Sequence, residues 1–591
     1  MAYSPASAPD LRRAGVWALA FWLACSAVML WLFRADYAAL GFRDPDDAMR
    51  LAQVRDWIGG QAFWDVSQHR VNPPVGGPMH WSRVVDLPIA ALLLLLRPLL
   101  GGAGAELAAC LIVPLLLLGG LVAAVMIATR RIVGQKIALL AVALLLTSPS
   151  ILVQFTPLRI DHHGWQIMLA SIALAGALDG RALRGGIVAG LALALWLQIS
   201  SEALPYAALF GGAFALRHWI ARDQTPRFIA FAAVLGGAAL PLLALLRGAG
   251  ATLTPQCDAL SFVYIWPLVA LGSATLLAMR LIGATTPERR LCVAAVGGGA
   301  ALATLLLTGG ACLSGDPFAA LGPLAYRLWY LQVMEGRPFW EQSLSMRGVI
   351  MLPSLLGLGA SLMAARATAG EARMRWLVLA LLLTGAIGVA MLVMRALSVA
   401  HVFALPGIAW LLAGLFRRVQ ARPEALVRVL GSVALVLMTP VGLAALWVGI
   451  ASISESEPES GKAASANCRA AAVLAPLRAL PRTTLFAPID LGPDILVQTP
   501  HSVIGTAHHR NAAGITAVIE GFVDRPDQAR RVITATRAAY LVSCDGLNEV
   551  RLYGKADPKG LAAMLARGRT PAWLEPVPTA APLRIWRIRR D

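Results

Sequence analysis

The feature that most constrains this chain is an alternation: long apolar runs, separated by short segments that collect arginine. The runs fall at 15–33, 84–100, 106–128, 137–155, 164–178, 185–217, 228–246, 260–279, 291–309, 349–366, 374–394, 396–416 and 425–451. About twenty such residues cross the hydrocarbon of a bilayer as a helix, which pairs all its own backbone polar groups. Composition agrees. Of 591 residues, 58% are hydrophobic and only 14% charged, where a soluble chain carries about a quarter. The net charge of +18 raises nucleic acid as a partner. The basic residues, however, sit between apolar runs, as at Arg130-Arg131 and Arg289-Arg290, with no basic stripe interleaved with aromatics. No nucleic acid is expected.

Charge also sets the topology. The run 185–217 is long enough for two helices, with polar residues 198–202 as the hairpin tip. If the run 84–100, which carries Pro88 and Arg97, dips into the outer leaflet without crossing, all basic loops face the cytoplasm. The expected architecture is then an all-α polytopic membrane domain, residues 1–451, of about thirteen spans. It has outer loops at 34–105 and 310–348. Residues 452–465 read as a linker. Beyond them, strand-like runs at 484–487, 502–506 and 539–543 alternate with helical stretches. Residues 452–591 are therefore expected to form a small extracytoplasmic α/β domain.

Cysteines test this topology. Of seven, Cys25, Cys110 and Cys292 lie in spans, whereas Cys257, Cys312, Cys468 and Cys544 all fall on outer segments. An oxidising compartment permits disulfides there, and the predicted pairs are Cys257–Cys312 and Cys468–Cys544.

Chemistry-bearing residues gather on the same side. Asp44-Pro45-Asp46-Asp47 follows the first span. Three carboxylates in four residues suit a divalent cation with oxygen ligands, or a salt-bridged helix start with proline in its first turn. The same loop carries His80-Trp81-Ser82-Arg83, either a polar site or an interfacial aromatic belt. Asp161-His162-His163 follows a later span, where a carboxylate and an imidazole two residues apart can converge on one metal; a helix cap is the alternative. The loop 310–348 contains Glu335-Gly336-Arg337-Pro338, and Arg395 lies within an apolar stretch, where arginine meets an anion or snorkels. His508-His509-Arg510-Asn511 in the C-terminal region suits phosphate binding or a contact to the membrane domain.

Taken in order, these elements resemble the catalytic subunit of oligosaccharyltransferase, and more broadly the GT-C class of polyprenyl-dependent glycosyltransferases. Asp44-Pro45-Asp46 resembles the family's first acidic motif, Asp161-His162-His163 its second, Glu335 its loop glutamate and Arg395 its lipid-phosphate arginine. Two departures stand out. The second motif ends in His163 instead of a carboxylate, and the family's Trp-Trp-Asp-Tyr-Gly reads Pro488-Ile489-Asp490-Leu491-Gly492. The resemblance implies a polyprenyl-linked sugar donor, membrane lipids around the site, and a lipid, glycan or protein acceptor. It also implies a divalent cation, Mg or Mn, and a multi-pass protein of a bacterial inner membrane with its C-terminal domain in the periplasm. The roles it implies are Asp44 as base or metal ligand, with Asp46, Asp161 and His163 as further ligands. Glu335 is expected as a loop ligand, and Arg395, His80 and Arg83 as donor-binding residues. A transporter or flippase of a lipid-linked glycan is the alternative. Its site would lie near the bilayer midplane, whereas the polar residues here gather at one face.

Overall fold

The structure, a computed structural model, describes residues 8–38, 40–313, 318–454 and 468–590. The expected linker 452–465 falls almost wholly outside them. Among the described residues, nine helices are long and apolar enough to cross a membrane, or eleven if each bent pair counts as one span. The bent pairs are Gln135–Leu145 with Pro149–Phe155, at 68°, and Ala425–Val436 with Pro440–Ser454, at 78°. The expected count of thirteen is not reached by this measure. The two shortfalls are His163–Ala177, of only 15 residues, and Ala203–Ile220, whose last turn carries Arg217 and His218.

The run 84–100 forms the first part of helix Asp86–Val133, which breaks at Gly101. Gly101 has φ 69°, a conformation that glycine adopts without strain. Leu302, Leu306 and Leu307 on helix Pro287–Thr308 are all exposed; such a surface is at rest in hydrocarbon and not in water. Helices Leu344–Arg366 and Leu397–Gln420 cross through glycine. A Cβ on Gly357 would overlap Ala404, and one on Gly407 would overlap the Gly357 carbonyl, the close approach by which small residues let helices pack in lipid.

The C-terminal region builds a five-stranded sheet. Its strands are β1 (Thr484–Phe486), β2 (Ser502–Val503), β3 (Ala538–Cys544), β4 (Leu574–Val577) and β5 (Leu583–Ile588), in the order β2-β1-β3-β5-β4. β1 runs parallel to β2 and β3, while β5 is antiparallel to β3 and β4. The first three strands are those expected from sequence. The sheet is tied into the membrane helices. Val71 of the first loop bridges Val503 in parallel, with Asn72 N–H donating to Val503 O at 2.7 Å. Arg70 donates to the carbonyls of Leu496 and Thr499. Leu321, Ala325 and Leu328 of the loop 310–348 share a core with Ile515, Val518 and Phe522. Both expected disulfides, Cys257–Cys312 and Cys468–Cys544, are present.

Candidate active site

Two acidic loops meet at one point, and the first is shaped by its helix start. Asp44 caps helix Pro45–Ile58, accepting from Asp46 N–H at 2.9 Å, with Pro45 in the first turn. This places Asp46 and Asp47 a residue apart on the first turn, facing different partners. Asp47 is buried and accepts the backbone N–H groups of Ile160 and Asp161 at 2.8 and 3.0 Å. It thereby clasps the second acidic segment to the first. Burial pushes the Asp47 carboxyl well up, against the pull of Arg159. Arg159 sits between the loops, 2.6 Å from Asp44, 3.2 Å from Asp47 and 3.0 Å from Asp161.

Asp46, Asp161 and His162 bring one ligand atom each to within 4.8 Å of one another. Burial raises the Asp46 carboxyl, but His508, which pairs with it, outweighs the burial and holds the group below the usual range. Burial pushes the His162 imidazole down to about 3, with His163 adding to the effect. It is therefore a neutral ring with a lone pair to offer. His162 Nδ1 and Asp161 Oδ2 are both buried without a hydrogen-bond partner among the described residues. Arg159 Nη2 lies 3.0 Å and His163 Nε2 3.6 Å from Asp161 Oδ2, neither in hydrogen-bonding geometry. Such open buried atoms cost free energy unless a ligand meets them. Two carboxylates and a neutral imidazole fit a borderline divalent cation of the Mn or Zn type better than an all-oxygen Mg site.

The expected ligand set was Asp44, Asp161 and His163, with Asp46. Asp161 and Asp46 do converge. Asp44 is turned to Arg159, and the cluster takes in His162 where His163 was expected.

A second set lies alongside. Arg395 Nη1 is 3.4 Å from Glu335 and pairs more tightly with Glu202. Burial pushes the Glu335 carboxyl up. Both residues line a cavity of about 330 Å³ whose other walls include Val153, Met346, Val349 and Leu397. The loop glutamate and the arginine are thus brought together as expected, at the head of an apolar space.

Two donor-binding expectations meet different surroundings. Arg83 is fully buried; it pairs with Asp86 and donates to the carbonyls of Phe63, Gln53 and Asp65. It is a structural brace, with no guanidinium face left for a phosphate. His80 lies within 4.8 Å of Asp258 and His509. The Asp258 carboxylate is already engaged by His509 at 2.7 Å and Arg510 at 2.7 and 2.8 Å.

Sequence reasoning missed the roles of Glu202 and Asp47, and, having expected residues 508–511 to bind phosphate or to contact the membrane domain, missed the partner of His508. Glu202 was read only as part of a hairpin tip, yet a charge between two apolar runs was a signal available there. Asp47 was counted in the acidic cluster without its clasping role. His508, at 3.2 Å from Asp46, comes from a segment with no local signal linking it to that carboxylate.

No protein-family model matches the sequence, and no curated relative matches it either. Solved structures do match at the level of fold. The archaeal oligosaccharyltransferase AglB from Archaeoglobus fulgidus, in complex with an inhibitory peptide and a dolichol-phosphate, aligns with a TM-score of 0.65 at 14% identity, covering 95% of this chain and 72% of that one. The same oligosaccharyltransferase tethered to an acceptor peptide containing the NVT sequon aligns at 0.59 and 13% identity, over 97% and 74%. Its complex with Zn and sulfate aligns at 0.54 and 13%, over 94% and 71%. The chain therefore has a GT-C-like fold, a multi-pass membrane architecture. The particular structures it resembles are those of AglB.

Proposed function

We propose that this chain is a membrane glycosyltransferase. It moves a sugar or oligosaccharide from a polyprenyl phosphate or pyrophosphate to an acceptor, at the outer face of a bacterial inner membrane. The observation that carries the reading is the convergence of Asp46, Asp161 and His162, with open buried atoms, beside the Arg395–Glu335 pair at the head of an apolar cavity. The likeness of fold to an enzyme solved with a dolichol-phosphate supports it.

The chain's own residues divide the work. The cavity takes the first isoprene units of the donor, and Arg395 faces its phosphate. Glu335 is the looser of the two carboxylates on Arg395, so the phosphate displaces it at little cost. Freed from its cation, Glu335 is a stronger base, suited to accept the proton of the acceptor hydroxyl. The acceptor oxygen bonds to the anomeric carbon as the bond from that carbon to the phosphate oxygen breaks. The lipid phosphate leaves on Arg395. Asp44, with its charge committed to Arg159, is less suited to that base role than expected. A divalent cation on Asp46, Asp161 and His162 would supply positive charge to the leaving phosphate. Asp47 and Arg159 hold the two acidic loops in register.

The test is Asp46→Asn in membranes supplied with a radiolabelled polyprenyl-linked donor. Label transfer should fall about 10²–10³-fold at normal expression. Transfer at the wild-type rate would sink the enzyme reading, and continued donor translocation alone would favour the flippase.

A further inference from the structure

One polar side chain on the wall of the apolar cavity has no part in the chemistry above. Six polar residues line that cavity: Ser150, Gln154, Glu335, Arg395, Ser398 and His401. Three of them satisfy one another. Ser150 Oγ lies 2.6 Å from His401 Nδ1, and the Ser398 hydroxyl donates to the Ser150 carbonyl at 2.7 Å. His401 Nε2 lies 3.2 Å from the carbonyl oxygen of Ile350. Arg395 and Glu335 pair at the head of the cavity. Gln154 remains.

Gln154 stands on the short turn Val153–Phe155, past the 68° bend that follows helix Gln135–Leu145. The bent segment forms one wall of the cavity through Pro149, Ser150, Val153 and Gln154, and Phe155, the next residue, is fully buried and anchors it. The carboxamide has a defined orientation. Arg159 Nε donates to Gln154 Oε1 at 3.2 Å. A guanidinium has donors and no acceptor, so the amide oxygen, and not its nitrogen, faces Arg159. The N–H groups of Nε2 then point away from Arg159, and no hydrogen bond joins them to any described residue. Arg159 is itself held by Asp44, Asp47 and Asp161. Gln154 is thus a fixed amide between the acidic loops and the donor cavity, accepting on one side and free to donate on the other.

Arg395 leaves room for such a group. Its charge is shared between Glu202 and Glu335. The phosphorus next to a polyprenyl chain carries two oxygens that are neither esterified nor bridging. Arg395 can take one, and a neutral amide adds a directed, charge-assisted bond to the other.

On the glycosyltransferase reading, on which this rests, we propose that Gln154 is a donor-binding residue whose N–H groups hold the phosphate oxygen that Arg395 does not. The phosphate is then tied through Gln154 and Arg159 to Asp161, which keeps the donor in register with the acidic loops. A residue that only propped Arg159 would behave in the opposite way on substitution. Gln154→Glu keeps an oxygen for Arg159 and adds charge to that bond, but it turns lone pairs and negative charge toward the phosphate.

The experiment is calorimetric titration of the full-length chain in detergent with farnesyl phosphate, and with neutral farnesol as comparator. The wild type should bind farnesyl phosphate about tenfold or more tighter than farnesol. Gln154→Glu should lose about tenfold or more in affinity for farnesyl phosphate, and Gln154→Ala less than that. Farnesol affinity should hold in both variants, as should the melting temperature of Gln154→Glu. Wild-type affinity for farnesyl phosphate in Gln154→Glu, with or without a loss in Gln154→Ala, overturns the proposal and leaves Gln154 as a prop. Equal binding of farnesol and farnesyl phosphate by the wild type overturns it together with the assignment of the cavity to the donor. The titration needs no transfer, so its failure is separate from that of the enzyme reading, which falls only if Asp46→Asn retains transfer.

Discussion

The helix His163–Ala177 carries a buried aspartate just beyond each end, and the two are treated in opposite ways. Asp179, on the side of the arginine loops, is saturated. It accepts from Arg181 N–H and Arg184 Nη2 at 2.9 Å on one oxygen, and from Arg184 Nε and Arg131 Nη2 at 2.7 Å on the other. Its carbonyl, with those of Gly176 and Ala177, takes the buried guanidinium of Arg227. Asp161, about 22 Å away along the helix, accepts one hydrogen bond, from His163 N–H at 3.0 Å, and its other oxygen has Arg159 beside it at 3.0 Å as an ion pair but no hydrogen bond among the described residues. A closed carboxylate is a joint. An open one, which costs about 1–3 kcal/mol to leave unmet, is kept by a fold when something else is meant to meet it.

Exchanging each aspartate for asparagine breaks or sharpens this contrast most strongly. Asp161→Asn should lower label transfer about 10²–10³-fold with little change in melting temperature. Asp179→Asn should do the reverse, destabilising the protein by about 1–3 kcal/mol by weakening the bonds of this buried side chain to Arg131 and Arg184, with transfer per folded molecule unchanged. A melting loss at Asp161, or a transfer loss without melting at Asp179, would show that the two ends are not different in kind.

Asp47 comes next, because it sets where Asp161 stands. Asp47→Ala frees the backbone of Ile160 and Asp161, so the second acidic loop drifts. A displacement of about 1 Å is enough to cost about 10²-fold in rate, and calorimetry with Mn should show an affinity loss of about 10–100-fold. Unchanged affinity would mean that the loop holds its place through Arg159 alone.

Much of this was legible in the sequence, for identifiable reasons. Apolar runs and arginine clusters are local signals, so the helical membrane domain and the side bearing the acidic loops could be read directly. The four cysteines outside the apolar runs pair as expected, Cys257 with Cys312 and Cys468 with Cys544. What escaped was contact across long separations. Nothing near His508 points to Asp46, and nothing near Arg83 shows that the carbonyls of Gln53, Phe63 and Asp65 enclose it. The same limit explains the choice of His163 over His162. Adjacent residues on one turn face different ways, and only the packed loop decides which imidazole meets Asp46. The expected thirteen spans include two helices that a length-and-composition measure passes over, His163–Ala177 with only 15 residues and Ala203–Ile220 with Arg217 and His218 in its last turn.

The disulfide Cys257–Cys312 bears on how firmly the open side is held. It joins the loop of Asp258 to the base of the loop that carries Glu335, across a sequence separation of 55. Replacing both cysteines by serine should cost about 2–4 kcal/mol, read as a lower melting temperature. A larger loss of transfer than of stability would place the closed loop among the requirements for donor binding.

The smallest effect concerns a third buried aspartate. Asp494 is fully buried, with no hydrogen bond on either oxygen and Arg469 Nε at 3.7 Å. It is open like Asp161 but has no cluster of histidines around it. Burial pushes its carboxyl up to about 8, against the pull of Arg469. The unfolded chain releases that proton near pH 4 (about 3.9 for an ordinary aspartate), so between there and about pH 8 the folded state holds the extra proton. Stability contributed by this group is therefore present at low pH and lost as pH rises. The melting temperature should fall from pH 5 to pH 8, and Asp494→Asn, neutral throughout, should flatten that fall by about 1 kcal/mol or more, roughly 2–4 °C. An unchanged slope would mean that Asp494 is charged in the folded protein. An open oxygen would then no longer separate Asp161 from it, and the contrast between the helix ends would have to rest on the histidines alone.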